Sequence, residues 1–537
     1  YQKKVVPIPR IAFYIILFNI ELLNNSNKDQ LMNTLKFDKH IDIISHTLIL
    51  VFLYIVLFPF QWTDNEFQYF GMAQFYHVDY MENYSLFHVS KLKFFFGYLH
   101  GVLIQILGYD KTWFFGRLLL IIIFFFCFLS FIKATKLKPH VLLGTLIIFY
   151  ILKQNFFPGE WFFQGFEART FCYIIMIFSF PLLIYGKLKT FFALNVLSFY
   201  FHFLAGFFSF LFLMLFYLFY SKNLKSFRNL VIGYIFFCSP LIILGIFENV
   251  QSSSFDYDYA YYNRLQHVMS AFDKNNEIFD EHLLGYFLVT ISTFGLILIK
   301  LKSNFTKKNK FLNSLIIASI FLNFYFLIVL LIDFIDTTNF LAKFYLYRPG
   351  SYGLFFQLIV FISFFFKYSN KLQKFLLILL LIISPILHPK VNLIHISSLG
   401  IKLVLKSFNE KISKLNNYEL EVINWIKKNT KESDIFLIEE SYNSKNLNIR
   451  ATGFEQNANR PTVVNENHVF GSPKDIERWS NLIAKKREIF KGSCDKEKIN
   501  YKYLVFLDKE NISKMKNCQL KKVFENKAVT ILNYEPQ

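Results

Sequence analysis

Cysteine is scarce, with 5 in 537 residues. The chain shows no zinc-ligand spacing, which sets aside the common structural zinc modules. It also lacks a Walker or dinucleotide glycine fingerprint, which sets aside the P-loop and Rossmann nucleotide enzymes. Cys127, Cys172 and Cys238 lie in apolar blocks and read as inert core residues. Cys494 and Cys518 lie in a polar tail, where spacing does not decide between a disulfide and two thiols. Acid is in short supply too: 38 Asp and Glu stand against 58 Lys and Arg, for a net charge of +20. Such a balance often marks a nucleic-acid partner. Here the cations are spread over the ends of apolar blocks and the tail instead of gathering on one motif, so no nucleic-acid partner is expected.

What the chain has in excess is apolar material, 54% of residues, with 71 Phe and 31 Tyr. A soluble protein of this length does not need so much. Part of the Phe, Ile, Lys and Asn richness is also what an AT-rich genome produces. Blocks such as Leu118–Phe131, Phe311–Leu331 and Phe375–Ile386 have the length and composition of membrane spans or most of one. The lysines fall in alternate gaps between blocks: Lys133, Lys136 and Lys138; Lys187 and Lys189; Lys222, Lys225 and Arg228; Lys300 to Lys310; Lys367, Lys371 and Lys374. The positive-inside bias places these gaps in the cytoplasm. The other gaps hold Asp64, Glu66, His77, Asp79, Glu160, Glu167, Asp256, Asp258, His267, Asp336 and Arg348. Chemistry is therefore expected on the extracytoplasmic side.

Three regions are expected. Residues 1–43 form a cytoplasmic or interfacial segment, because Ile11–Leu23 is short for a span. Residues 44–390 form an all-α polytopic membrane domain of about eleven transmembrane helices. Its spans are expected near His46–Phe60, Trp113–Ile132, Pro139–Leu152, Ala168–Tyr185, Leu230–Phe247, Leu283–Lys300, Phe311–Ile332, Ser351–Phe366 and Phe375–Ile386. Phe94–Leu107 is read as an amphipathic helix on the outer surface, since a crossing there would move Lys133–Lys138 outside. The block 190–220 has lysines at both ends. Two short passes turning near His202 to Gly206 keep both ends inside; one long tilted helix is the alternative. Residues 405–537 form an α/β extracytoplasmic domain, with helices at Tyr418–Lys428 and Pro473–Ile489 and strands at Asp434–Glu439, Tyr503–Leu507 and Val529–Leu532.

Several polar constellations interrupt this pattern. Asp64 and Glu66 follow the first span directly. Carboxylates at the membrane–water boundary could act as a base or meet a metal, or simply end a helix in water. Arg264 and His267 close a loop rich in tyrosines and could hold a phosphate and a sugar ring, or belong to an ordinary aromatic belt. Glu167 and Arg169 open a span and read either as site residues or as a local pair. His202 sits in an apolar block, where an imidazole is structural or lines a cavity. Arg348 starts another span, where it snorkels or binds a lipid phosphate with its planar fork.

As an ordered set over about residues 44–390, these features resemble GT-C class polytopic membrane glycosyltransferases, including bacterial uncharacterised GT-C-like membrane proteins. Glu66 with Tyr69 and Ala73 matches the opening signature. Asn65 stands where many members have Asp, with Asp64 one place earlier, so the catalytic carboxylate is Asp64 or Glu66. Arg264 and His267 resemble an Arg-x-Pro-His-His element in which Leu265 and Gln266 replace Pro and the first His. His202 with Gly206 resembles a His-x-x-x-Gly element. The tail, with Glu419–Lys428 and Arg478-Trp479, looks like the external domain of the same relatives.

The resemblance implies transfer of a sugar from a polyprenyl-phosphate donor to a glycan, lipid or protein acceptor outside a bacterial inner membrane, within cell-envelope assembly. It gives Asp64 or Glu66 the role of base, and Arg264, His267, Arg348, His202, Glu167, Arg169 and Tyr69 roles in binding donor and substrate. It fixes no cofactor; a divalent metal is compatible, but no ligand cluster demands one. The competing readings are a non-catalytic glycan- or lipid-binding membrane protein and a transporter, although neither inverted repeats nor broken helices stand out.

Overall fold

The computed structural model describes residues 30–58, 66, 69–70, 73, 94–157, 161–163, 165–250, 279–302, 309–335, 345–369, 417–439, 454, 458–464, 473–493, 500–507, 512–513, 515, 518–527 and 529–534. The expected segment Ile11–Leu23 and the expected span Phe375–Ile386 lie outside these residues, as do Asp64, Asn65, Arg264, Leu265, Gln266 and His267.

Apolar runs of this length satisfy their backbone polar groups internally, and an α-helix does so within one segment. Among the described residues before 370 the helices are α1 Gln30–Leu57, α2 Phe94–Leu107, α3 Tyr109–Thr135, α4 Pro139–Ile151, α5 Ala168–Ile184, α6 Leu188–Phe201, α7 Phe203–Ser221, α8 Leu224–Val250, α9 Phe279–Leu301, α10 Lys310–Ile335 and α11 Gly350–Tyr368. By length and composition six of them, α3 and α7 to α11, can cross a membrane; stretches of α1, α2, α4, α5 and α6 are apolar but shorter. Several boundaries differ from expectation, α8 starting at Leu224 instead of Leu230 and α3 at Tyr109 instead of Trp113. Helix α1 starts at Gln30, well before His46, because nothing in the polar run Asn33–His40 breaks a helix, and it ends at Leu57, short of Pro59. The block 190–220 is two helices, broken at His202, whose backbone is extended (φ −150°, ψ 103°).

Short turns reverse the chain repeatedly and sort the charges. Lys136 and Lys222 take left-handed conformations just after α3 and α7 (φ 56° and 58°), and Lys187 precedes α6. Lys310 at the start of α10 lies 4.5 Å from the ring of Tyr220 at the end of α7. Lys302, just after α9, lies 5.5 Å from the rings of Phe364 and Tyr368 in α11. Phe311 packs on Phe131, Phe180 and Phe216 at 5.6–6.0 Å, which brings the ends of α3, α5 and α7 to the start of α10. One end of the bundle therefore collects the lysines.

The core is aromatic. Phe162 is sandwiched between Tyr173 (4.6 Å, interplanar 6°) and Phe355 (5.4 Å, 20°), so α5 and α11 hold the segment that links α4 to α5. Stacked pairs of this kind are worth about 0.5–1.5 kcal/mol beyond area burial. Outward positions are apolar as well: Ile232, Phe236 and Ile243 on α8 and Phe324, Ile328 and Leu331 on α10 are exposed. A bundle coated in such residues is built for lipid rather than water.

The C-terminal residues form a small sheet, order β1-β2-β4-β3, from β1 Phe436–Ile438, β2 Tyr503–Phe506, β3 Leu520–Glu525 and β4 Thr530–Tyr534. β1 and β2 are parallel and β4 is antiparallel to both of its neighbours. Helix α13, Pro473–Phe490, lies between β1 and β2 in sequence, as a parallel crossover requires. Helix α12, Asn417–Asn429, presents Val422, Ile423 and Ile426 to Phe436, Ile438, Tyr503 and Ile531. Cys518 is disulfide-bonded, while Cys127, Cys172 and Cys238 are free; Cys494 lies outside the described residues.

Candidate anion-binding site at the lysine-poor end

Two buried charge clusters occupy the opposite end of the bundle, which is poor in lysine but carries Lys111 and Lys153. The first centres on Glu66. Trp113 and Arg117 are four residues apart on α3 and so share a face. Arg117 Nε and Nη2 donate to Glu66 Oε1 and Oε2, each at 2.6 Å, in a bidentate pair. Trp113 Nε1 donates to Oε2 at 3.2 Å and the Phe166 amide to Oε1 at 2.8 Å. Arg117 Nη1 also donates to Leu57 O at the end of α1, at 3.3 Å. Glu66 and Arg117 are both buried. Gly165 is required here, because a Cβ at that position would come within 2.6 Å of the Glu66 carboxyl carbon. The cluster thus ties α1, α3 and the 161–167 segment together. Tyr69 and Ala73 are buried too, Tyr69 edge-on to Phe96 at 6.1 Å.

That geometry bears on the expected base. A carboxylate holding four donors must release Arg117 before it can take a substrate proton, and freeing a buried guanidinium is costly. Sequence reasoning missed Arg117 and Trp113 because they fall inside an expected span. The signal was available: an ionisable residue within an apolar block implies a buried partner.

The second cluster gathers four of the expected site residues. Glu167 precedes α5 in extended conformation and is buried, with Arg169 Nη2 3.6 Å from its Oε1. His202 lies at the break between α6 and α7, where its Nδ1 accepts from the Ala205 amide at 3.4 Å and caps α7. The break is tight enough that a Cβ on Gly206 would lie 2.6 Å from the Phe199 backbone. Arg348, from the turn before α11, brings Nη1 to 3.2 Å from His202 Nε2, and its guanidinium sits 4.8 Å from the Tyr345 ring centre. Arg169 and Arg348 are both within electrostatic reach of the Cys172 thiol, which itself donates to Ser198 O at 3.2 Å. Two guanidinium groups, an imidazole and a carboxylate therefore share one buried neighbourhood. An unbroken run of ring contacts, Phe166–Phe171–Phe201, joins it to the first cluster.

An imidazole that accepts at Nδ1 carries its proton on Nε2. Arg348 Nη1–H faces Nε2 at 3.2 Å, a hydrogen bond only when that nitrogen is unprotonated, so the two ring contacts of His202 belong to different neutral tautomers. A buried guanidinium beside an imidazole suits an oxygen of a phosphate or carboxylate. Arg264 and His267 lie outside the described residues. Among the described residues, no group of three His, Cys, Asp or Glu could hold a metal ion. A further buried acid, Asp333, was also not anticipated; it accepts from Tyr286 Oη at 2.9 Å and from Tyr347 Oη. No family model and no curated protein matches the chain.

Proposed function

We propose that the protein is a membrane glycosyltransferase that moves a sugar from a polyprenyl-phosphate donor to an acceptor on the extracytoplasmic side, with about eleven spans and the C-terminal α/β region on that same side. The observation that carries this reading is the convergence of Arg348 and His202, two residues 146 positions apart, at the lysine-poor end of the bundle. A buried guanidinium and imidazole beside Arg169 suit the phosphate of a lipid-linked sugar. The alternation of lysines supports the sidedness, and the disulfide at Cys518 supports an oxidising compartment for the tail.

In the proposed reaction the acceptor hydroxyl gives its proton to a carboxylate and its oxygen attacks the anomeric carbon. The bond from that carbon to the phosphate oxygen breaks, and the polyprenyl phosphate leaves with the electron pair. Arg348, His202 and Arg169 stabilise the charge gathering on the leaving phosphate. Because Glu66 is committed to Arg117, the base role falls to Asp64.

The same commitment of Glu66 favours a second reading, in which the protein binds a lipid-linked glycan without transferring it. The two separate in one experiment: purified protein supplied with a radiolabelled polyprenyl-phosphate sugar and a crude acceptor extract. Transfer that disappears in Asp64→Ala supports the enzyme. Tight donor binding with no transfer supports the binder, and neither binding nor transfer contradicts both.

A further inference from the structure

Arg348 lies on a turn rather than a helix, so its aim depends on what holds the turn. Tyr345 at the turn's start adopts a left-handed conformation (φ 51°), uncommon for an aromatic residue and sustained only where the surroundings fix it. The fixing contacts come from three directions. Tyr325 Oη on α10 donates to Leu346 O at 2.9 Å. Tyr347 Oη donates to Asp333 Oδ2 near the end of α10. Asn155 crowds Gly350, where a Cβ would meet its Oδ1 at 2.1 Å. Asp333 is itself set by α9, through the 2.9 Å bond from Tyr286, whose hydroxyl also lies 3.2 Å from Tyr347 Oη. The rings of Phe157 and His282 pack against Tyr347, each at 4.8 Å.

We infer that Asp333 is a positioning residue for the anion site: through Tyr347 it holds the 345–349 turn, and so keeps the Arg348 guanidinium against His202. A carboxylate is the suitable group because one oxygen accepts from two hydroxyls at once, each on a different structural element. Its charge sits near the helix end where α10 emerges, on the same side of the bundle as the site it serves. The name of the ligand rests on the proposed function; the positioning role does not.

The test uses the full chain in detergent with Asp333→Leu, Asp333→Asn and Tyr347→Phe. Two readouts are taken: hydrogen exchange of the Arg348 and Gly350 amides, which bond to Tyr345 O and Tyr347 O, and equilibrium binding of undecaprenyl phosphate. Asp333→Leu and Tyr347→Phe are expected to speed exchange at both amides and to weaken binding about tenfold or more, the usual size of a supporting-residue loss. Asp333→Asn, whose amide oxygen still accepts, is expected to restore most of both. Tyr347→Phe removes one hydroxyl and keeps the ring packing, so it answers the question even if Asp333→Leu does not fold. Exchange at the turn unchanged in folded Tyr347→Phe overturns the inference. Faster exchange in a protein that never binds undecaprenyl phosphate upholds Asp333 as a positioning residue and removes the proposed ligand instead.

Discussion

Arg348 Nη1 lies 3.2 Å from His202 Nε2, although one residue belongs to a turn before α11 and the other to the break between α6 and α7. The contact fixes the relation of two helix breaks at the lysine-poor end. The planar fork of Arg348, held against the imidazole of His202, makes a rigid cationic site. A flexible ammonium cannot reproduce that geometry. Arg348→Lys is therefore expected to bind undecaprenyl phosphate at least about tenfold more weakly than the parent, close to Arg348→Ala, by equilibrium binding in detergent. Wild-type affinity in Arg348→Lys would reduce the site to a point charge.

The Glu66–Arg117 pair predicts an asymmetry in stability. Removing either partner leaves a charge buried without its counterpart, so Arg117→Leu and Glu66→Leu are each expected to cost about 3–5 kcal/mol. Exchanging both for leucine is expected to recover a large part of that loss. Thermal unfolding of the four proteins in one detergent measures it; additive losses in the double variant would show that the two side chains do not act as a pair.

Gly165 approaches Glu66 so closely that any side chain must displace the carboxylate or the 161–167 segment. Gly165→Ala is expected to lower stability by about 1–3 kcal/mol, visible as a drop in the unfolding temperature. A mild effect in Gly165→Ala within an Arg117→Leu background would show that the crowding acts through the pair.

In the C-terminal sheet, burial pushes the Tyr501 hydroxyl up from 10.0 to about 12, and a hydrogen bond from Lys502 to Asp434 raises the lysine above its ordinary value. For Tyr501 the unfolded chain loses its proton first, so the folded state is favoured less as pH climbs from about 10 to about 12. For Lys502 the stabilising charge is present below its unfolded value and disappears as pH rises through the folded one. Both push the same way: the sheet weakens in alkali. The tyrosinate difference spectrum between the protein and Tyr501→Phe is expected to titrate near 12; a midpoint near 10 would mean that the hydroxyl is in water.

Much of the fold was legible because hydropathy period and turn residues act locally. Phe94–Leu107 appeared with the expected ends, and α4, α5, α11, α12 and α13 lie within two residues of expectation. The break at His202 was readable from lysines that could not share a side otherwise. Strand β3 was missed because its buried and exposed positions do not alternate cleanly and a register shift falls between Lys522 and Phe524. For the site, each residue of the Arg348–His202 pair stood out alone as a polar group at an apolar boundary, but their meeting is tertiary. Arg117 and Asp333 were hidden for the opposite reason: each sits within or beside a long apolar run, and a hydropathy window averages one charge away.

Sidedness can be mapped directly. Single cysteines placed at Ser254 and Ser433 are expected to react with a membrane-impermeant maleimide added outside intact cells, and one at Ser226, beside Lys225, only after permeabilisation. Label at Ser226 from outside would invert the topology and put the anion site in the cytoplasm.

The central claim is that the Arg348–His202 pair receives the phosphate of a lipid carrier, and equilibrium binding of undecaprenyl phosphate to the parent, Arg348→Ala and His202→Ala tests it most directly. The account predicts saturable binding by the parent that competes with the matching polyprenyl-phosphate sugar and weakens at least about tenfold in each variant. Equal binding by all three proteins, while each stays folded, would contradict it.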